Sequence, residues 1–188
     1  MQRLIAALTI ALFLGLVITR ILLMRRAGIK ALYFGNLDRK DFLIPPFAFL
    51  YIYVVIAAPL GLPALTEQEF FRSEAISWAG VFLCVLGLLL FLLSLVSFGR
   101  SFRVGIDTDH PGKLITTGVF SLSRNPIYVA FWIIMLGQFL IFPNWILLAY
   151  LPAAAWLFHR QVLREEDFLR KHHGQEFAVY CDRVRRYF

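Results

Sequence analysis

The sequence predicts an all-α, polytopic membrane protein of about five transmembrane helices, with a C-terminal helical hairpin and cytoplasmic amphipathic tail helices. Three observations predict it. Of 188 residues, 60% are hydrophobic and only 16% are charged, and the mean hydropathy is +0.70, far above an ordinary soluble domain. The apolar residues are gathered into long runs, and a helix needs roughly 20 such residues to span a bilayer. The 19 Lys and Arg, against 12 Asp and Glu, lie between those runs, as the rim of a membrane protein requires. In a soluble protein the net charge of +7 would raise the question of nucleic acid. Here no basic–aromatic patch forms outside the rims, so no nucleic-acid partner is expected.

The first run, Leu4 to Met24, is apolar apart from Thr9, Thr19 and Arg20. A signal peptide is the rival reading, because Arg3 precedes it. The run is long for a signal core, lacks a small-x-small cleavage site and ends in Arg25-Arg26, so it reads as a retained span. Arg25, Arg26, Lys30, Arg39 and Lys40 follow as a basic loop, diluted by Asp38 and Asp41. The second span runs from about Phe42 to Leu62, with Pro45-Pro46 near its start and Pro59 near its end; prolines there mark a first turn or a kink. An acidic loop with Glu67, Glu69 and Glu74 against Arg72 precedes the third span, Ala75 to Phe98, which Gly99, Arg100 and Arg103 close.

Spans four (Ile127–Phe142) and five (Trp145–Phe158) are short, and only Pro143-Asn144 separates them. Such a break reads as a tight helical hairpin, with Trp145 near the far interface. From His159 the chain turns polar. Leu163, Phe168, Leu169, Phe177, Val179 and Tyr180 alternate with charged residues, the pattern of an amphipathic helix broken at Gly174 and followed by a second short one. The positive-inside rule places the loops after spans one and three in the cytoplasm. The N-terminus then lies outside, and segment 99–126 and tail 159–188 share the cytoplasmic face. The chain divides into a three-span bundle, 1–98, and a functional region, 99–188.

The stretch Thr116 to Tyr128 organises that region. Asn125 followed by Pro126 reads as an N-cap and first helical residue, the Asn side chain accepting from an orphan backbone N–H. With Arg124 aimed at the water side, this stretch reads either as a helix start ready to seat an anionic group or as an ordinary loop ending in a capped membrane helix. Glu165-Glu166 is the acidic pair closest to span five; such a pair is commonly a solvated helix face. His110, His159, His172 and His173 have no zinc spacing, and no metal is expected. Ser121 and Ser123 lack the setting of a nucleophile elbow, and phosphate-binding glycine loops are absent. Cys84 and Cys181 suggest no disulfide framework. Gln138, a lone polar group in span four, reads as interhelical glue or as part of a substrate path.

The run Lys113-Leu114-Ile115-Thr116-Thr117-Gly118-Val119-Phe120, then Arg124-Asn125-Pro126-Ile127-Tyr128, resembles the isoprenylcysteine carboxyl methyltransferase and phospholipid methyltransferase superfamily. The second half matches too: Glu165-Glu166, then His173-Gly174, Glu176-Phe177, Tyr180 and Val184. The resemblance covers about residues 95–188. It implies an integral membrane methyltransferase that uses S-adenosyl-L-methionine without a Rossmann-like domain, acting on a lipid-soluble acceptor. It further implies that Lys113, Leu114, Ile115, Gly118, Phe120, Asn125, Pro126, Tyr128 and Glu165 surround the cofactor, with Phe120 standing for the family's tyrosine. On the acceptor side the family's arginine is Gln161 here, and Arg160 or Arg164 would substitute. Glu166 would assist an amine nucleophile. The residues Arg185-Arg186-Tyr187-Phe188 stand where the family has terminal prolines. Alternatives are a phospholipid or small-thiol methyltransferase, or a non-catalytic membrane protein that keeps the fold.

Overall fold

The structure, a computed structural model, describes residues 1–28, 32–33, 44–57, 59–63, 65, 69–99, 104–105 and 112–187. Lys30, Asp38, Arg39, Lys40, Asp41, Glu67, Arg100, Arg103 and His110 lie outside the described residues. Among the described residues five α-helices make up the architecture: α1 (Gln2–Arg26), α2 (Ile44–Ala57), α3 (Glu74–Phe98), α4 (Pro126–Ile141) and α5 (Trp145–Arg183). Three of them, α1, α3 and α5, are long and apolar enough to cross a membrane, and α2 and α4 are shorter apolar helices. The protein is an integral membrane protein.

Helix ends fall where backbone chemistry puts them. Ser73 caps α3 by accepting from the Ile76 N–H at 3.4 Å, and Gly99 closes it at φ +50°. Asn144 caps α5 by accepting from the Leu147 N–H at 3.0 Å while its amide donates to the Phe142 carbonyl, so Pro143-Asn144 makes the tight hairpin expected. The second helix is shorter than the run from Phe42 to Leu62, because Pro59 has no N–H to continue the ladder and Gly61 adopts φ +67°. The largest departure is α5. The fifth span and the first tail helix form one continuous helix, since no proline or glycine interrupts residues 153–173; the non-helical residue is Gly174, at φ +51°. The membrane-crossing part of α5 is its apolar first half, and from His159 the helix continues as the amphipathic tail.

The core is α3 packed against α4, with α1 against both, its Phe13 ring meeting Phe91 of α3 and Phe131 of α4. Small residues make this possible. A Cβ on Gly80 would lie 2.5 Å from the Gly137 carbonyl oxygen, and one on Gly87 would lie 3.0 Å from that of Ala130. The backbones therefore touch, as membrane helices with small interfacial residues do. Gln138 is fully buried, accepts from Tyr51 and donates to the Ala6 carbonyl. It is glue between α1, α2 and α4, not part of a path.

Two ends of the bundle can be told apart. At one end Arg3 pairs with Glu69, and the Phe70 N–H donates to the Pro143 carbonyl at 2.7 Å. At the other, Arg20 donates to the Gly99 carbonyl. A two-residue parallel ladder, β1 (Leu32–Tyr33) with β2 (Val104–Gly105), joins the segments that follow α1 and α3. The sequence offered no sign of that ladder. The second end also carries the stretch before α4 and the polar half of α5, so those two segments do meet.

Candidate functional site

At the start of α4, Asn125 is the N-cap residue and Pro126 the first helical one, but the Asn125 side chain makes no cap bond. It donates instead to Glu166 and to the Arg186 carbonyl, both at 3.2 Å. Arg124 does not face water: its side chain is 11% exposed and pairs with Glu166 at 3.2 Å. It also donates to the carbonyls of Cys181 and Val184. The anion at this helix start is thus the protein's own Glu166, which Arg186 binds from the other side at 2.8 Å. Burial alone would push the Glu166 carboxyl up. The Arg186 hydrogen bond and the charges of Arg124 and Arg186 overcome it and hold the group below the usual carboxylate range.

This clasp fixes a strap, residues 184–187, across the helix start. The Arg124 N–H donates to the Arg185 carbonyl at 3.0 Å, and the Ser123 hydroxyl to the Arg186 carbonyl at 3.3 Å. The preceding 3-10 turn, Gly118–Ser121, is locked as well. Gly118 has φ +64°, and a Cβ there would meet the Ser97 hydroxyl at 2.4 Å. The Phe120 ring is buried edge-on against Phe98, and its carbonyl accepts from Tyr180 at 2.6 Å. Before the turn, Lys113 is exposed and Leu114 and Ile115 are half-buried, outside any helix.

Glu165 faces another way. It accepts from the Tyr128 hydroxyl at 2.6 Å and from the Gln161 amide at 2.9 Å, and Arg164 donates to the Gln161 carbonyl oxygen. Burial pushes the Glu165 carboxyl up, against the opposing pull of Tyr128, Gln161 and Arg164. Arg160 lies over the Trp156 ring, 5.4 Å from its centre. Beside Tyr128 a cavity of about 450 Å³ opens between α4 and α5. Its α4 wall includes Trp132 and Leu136, its α5 wall Ala155 and Phe158, and His159 and Tyr187 meet at its mouth. It lies in the range of small-molecule sites, being largely apolar with a few polar groups.

The structure thus brings together Asn125, Pro126, Tyr128, Glu165 and Glu166, with Arg164 beside them. Gly118 and Phe120 form the neighbouring turn, and Lys113 to Ile115 lead into it. Sequence reasoning did not assign Arg186, Tyr187, Tyr180 or Trp132. The departure from terminal prolines at 185–188 was the signal for the first two. Among the described residues no cluster of His, Cys, Asp or Glu is arranged to hold a metal ion.

A polytopic helical scaffold, with a polar site built where a helical hairpin meets its amphipathic tail, defines the class: a polytopic membrane protein. A family described as Phospholipid methyltransferase matches residues 75–176, more than half of the chain. An Oryza sativa subsp. indica protein named "Probable protein-S-isoprenylcysteine O-methyltransferase" is 32% identical over 141 residues, covering 70% of this chain and 73% of that protein. Protein-S-isoprenylcysteine O-methyltransferase B of Arabidopsis thaliana is 30% identical, covering 65% and 66%. The solved structure of the eukaryotic intramembrane Ras methyltransferase, an isoprenylcysteine carboxyl methyltransferase, superposes with a TM-score of 0.63 at 22% identity. That match covers 94% of this chain and 62% of the other, and it shows a shared fold. The chain belongs to the phospholipid methyltransferase family and is a membrane methyltransferase.

Proposed function

We propose that the protein transfers a methyl group from S-adenosylmethionine to a carboxylate on a lipid-linked cysteine, as the names of its relatives suggest. The observation that carries this reading is the junction of a polar and an apolar site at one residue. Tyr128 bonds Glu165 through its hydroxyl and lines the α4–α5 cavity with its ring. A cofactor binding on the Glu165 side and a lipid chain lying in the cavity would meet there.

The residues fit the cofactor by their chemistry. Glu165 is a carboxylate suited to hydroxyl or ammonium donors, and Tyr128, Phe131 and Phe158 form an aromatic cluster with ring centres 5.5 to 6.1 Å apart, suited to a sulfonium. Leu114 and Ile115 supply apolar surface for an adenine ring. Because Glu166 fills the α4 start, we assign the cofactor's carboxylate to Lys113 rather than to that helix end. Bound S-adenosylmethionine would supply an electrophilic methyl group. What the chain supplies is position and dryness: Tyr128, Phe158 and the cavity wall exclude water, and Gln161 holds Glu165 in place. Near-attack geometry of that kind accounts for much of the rate in displacement chemistry. Glu166, saturated by Arg124, Asn125 and Arg186, holds the site together and is not a base. Membrane lipids surround the cavity and deliver the acceptor sideways. By the positive-inside rule this end, with the exposed Arg25 and Arg26, faces the cytoplasm.

Isothermal titration of the purified protein with S-adenosylhomocysteine tests the reading. Binding by wild type, weakened about tenfold or more by Glu165→Gln, is the expected result for a lost hydrogen bond to a charged group. No binding by wild type, or equal binding by the variant, would remove the assignment. Labelled S-adenosylmethionine with lipid extracts then separates a carboxylate acceptor from a phospholipid amine or a small thiol.

A further inference from the structure

The mouth of the α4–α5 cavity has a feature that neither the motif nor the Glu165 network uses. His159, on α5, and Tyr187, on the strap, hydrogen-bond to each other there, with Nδ1 and the phenol oxygen 2.8 Å apart. Both line the cavity. The Tyr128 hydroxyl, in the same wall, is committed to Glu165, and the remaining lining is apolar but for the Trp132 indole. The geometry points to His159 and Tyr187 as the head-group anchor of the acceptor, holding its carboxylate at the cavity mouth. This rests on the reading above that the acceptor's apolar part lies in this cavity.

The hydrogen-bond inventory of the pair supports an anion. If the phenol donates to Nδ1, the Nε2–H remains as a donor; if Nδ1–H donates to the phenol oxygen, the phenol O–H remains. In either tautomer one donor is left over, and in the protonated imidazole two are. Burial pushes the Tyr187 phenol up, so it is a neutral O–H donor at pH 7. Among the described residues the bond between them is the polar contact each side chain makes. A carboxylate accepts that remaining donor through one oxygen and keeps the other to react.

The anchor is also held in place from behind. Tyr187 follows Arg186, whose carbonyl accepts from Ser123 and Asn125 and whose guanidinium binds Glu166. His159 sits one residue before Arg160, within the continuous helix that also carries Glu165. The two side chains therefore stand on different segments, each tied to the start of α4, and a preorganised pair loses less on binding. His159 and Tyr187 act as positioning residues for the acceptor.

The test uses the full chain in lipid nanodiscs with N-acetyl-S-farnesylcysteine as substrate and its carboxamide as a neutral competitor. Tyr187→Phe and His159→Ala are expected to raise KM for the acid about tenfold, the factor of one charge-assisted hydrogen bond. The inhibition constant of the carboxamide and the affinity for S-adenosylhomocysteine should change less than about twofold, with His159→Gln recovering part of the loss through its amide donor. An unchanged KM for the acid in both variants overturns the anchor and leaves the proposed activity standing. Equal losses for acid and carboxamide also overturn it, because they mean a packing role. If wild type does not methylate the acid, both the carboxylate acceptor and its anchor fall.

Discussion

Removing Glu166 is the sharpest perturbation of the site. Its side chain is 6% exposed and pairs with Arg124, itself 11% exposed, and with Arg186, which is 35% exposed. Glu166→Ala leaves the Arg124 guanidinium, the Asn125 amide and Arg186 without their shared acceptor. Breaking a buried pair costs about 3–5 kcal/mol, and solvent screens the Arg186 share, which brings the expectation to about 3 kcal/mol. For a protein of this size that lowers the melting temperature by about 6–12 °C. Glu166→Gln keeps an acceptor oxygen but no charge, and should lose about half as much. Thermal unfolding in detergent, followed by tryptophan fluorescence, measures it. The pH dependence has a definite sign. The folded-state carboxyl titrates below its unfolded value, so the stabilisation is present at neutral pH and is lost as pH falls through the folded value, below the ordinary carboxylate range of about 4. The gap between wild type and Glu166→Ala should therefore close in strong acid. A Glu166→Ala protein that melts within about 2 °C of wild type yet transfers no methyl groups would refute this reasoning. It would return Glu166 to the chemistry.

Three other substitutions test the membrane part of the fold. Gly137→Val places a Cβ 2.6 Å from the Gly80 carbonyl oxygen and 2.9 Å from the Cys84 nitrogen, both backbone atoms that cannot step aside. A loss of about 3 kcal/mol or more is expected for such overpacking, read as lower monodisperse yield and melting temperature, whereas Gly15→Ala, in open space, should be neutral or slightly stabilising. Tyr51→Phe removes the donor to the buried Gln138 and should cost about 1 kcal/mol, the scale of polar contacts between membrane helices; no change in the unfolding midpoint would show that Gln138 finds another partner.

What was legible in the sequence was whatever depends on near neighbours. The start of α4 at Pro126, the hairpin at Pro143-Asn144 and the break at Gly174 are set by proline's missing N–H, by the Asn144 cap and by backbone freedom within a few residues. Long-range partners were not legible. Asn125 had the chemistry of a capping side chain, yet it donates to Glu166 and the Arg186 carbonyl instead. The nearer of those lies 41 positions along the chain, and no local rule weighs it against the helix's own N–H. The same holds for Arg124, which capping logic aimed at water. Gly80, Gly87 and Gly137 looked like ordinary small residues in apolar runs, and only the packing of α3 on α4 shows why no side chain fits there.

The adjacent carboxylates show how one helix serves two separate partner sets. Successive residues on an α-helix point about 100° apart, so Glu165 and Glu166 cannot serve one partner set. Glu166 lies one turn on from the buried Val162 and turns toward the α4 start. Glu165 lies one turn on from Gln161 and turns toward Tyr128 and the cavity. Their environments differ in sign accordingly: three cationic or amide donors hold the first ionised, while burial works against ionisation of the second. A helix that broke after span five would let the two directions drift independently. Because α5 runs unbroken from the membrane to Gly174, the clasp at Glu166 fixes the rotation of the helix and with it the aim of Glu165. The polar clasp thereby positions the Glu165 carboxylate without touching it.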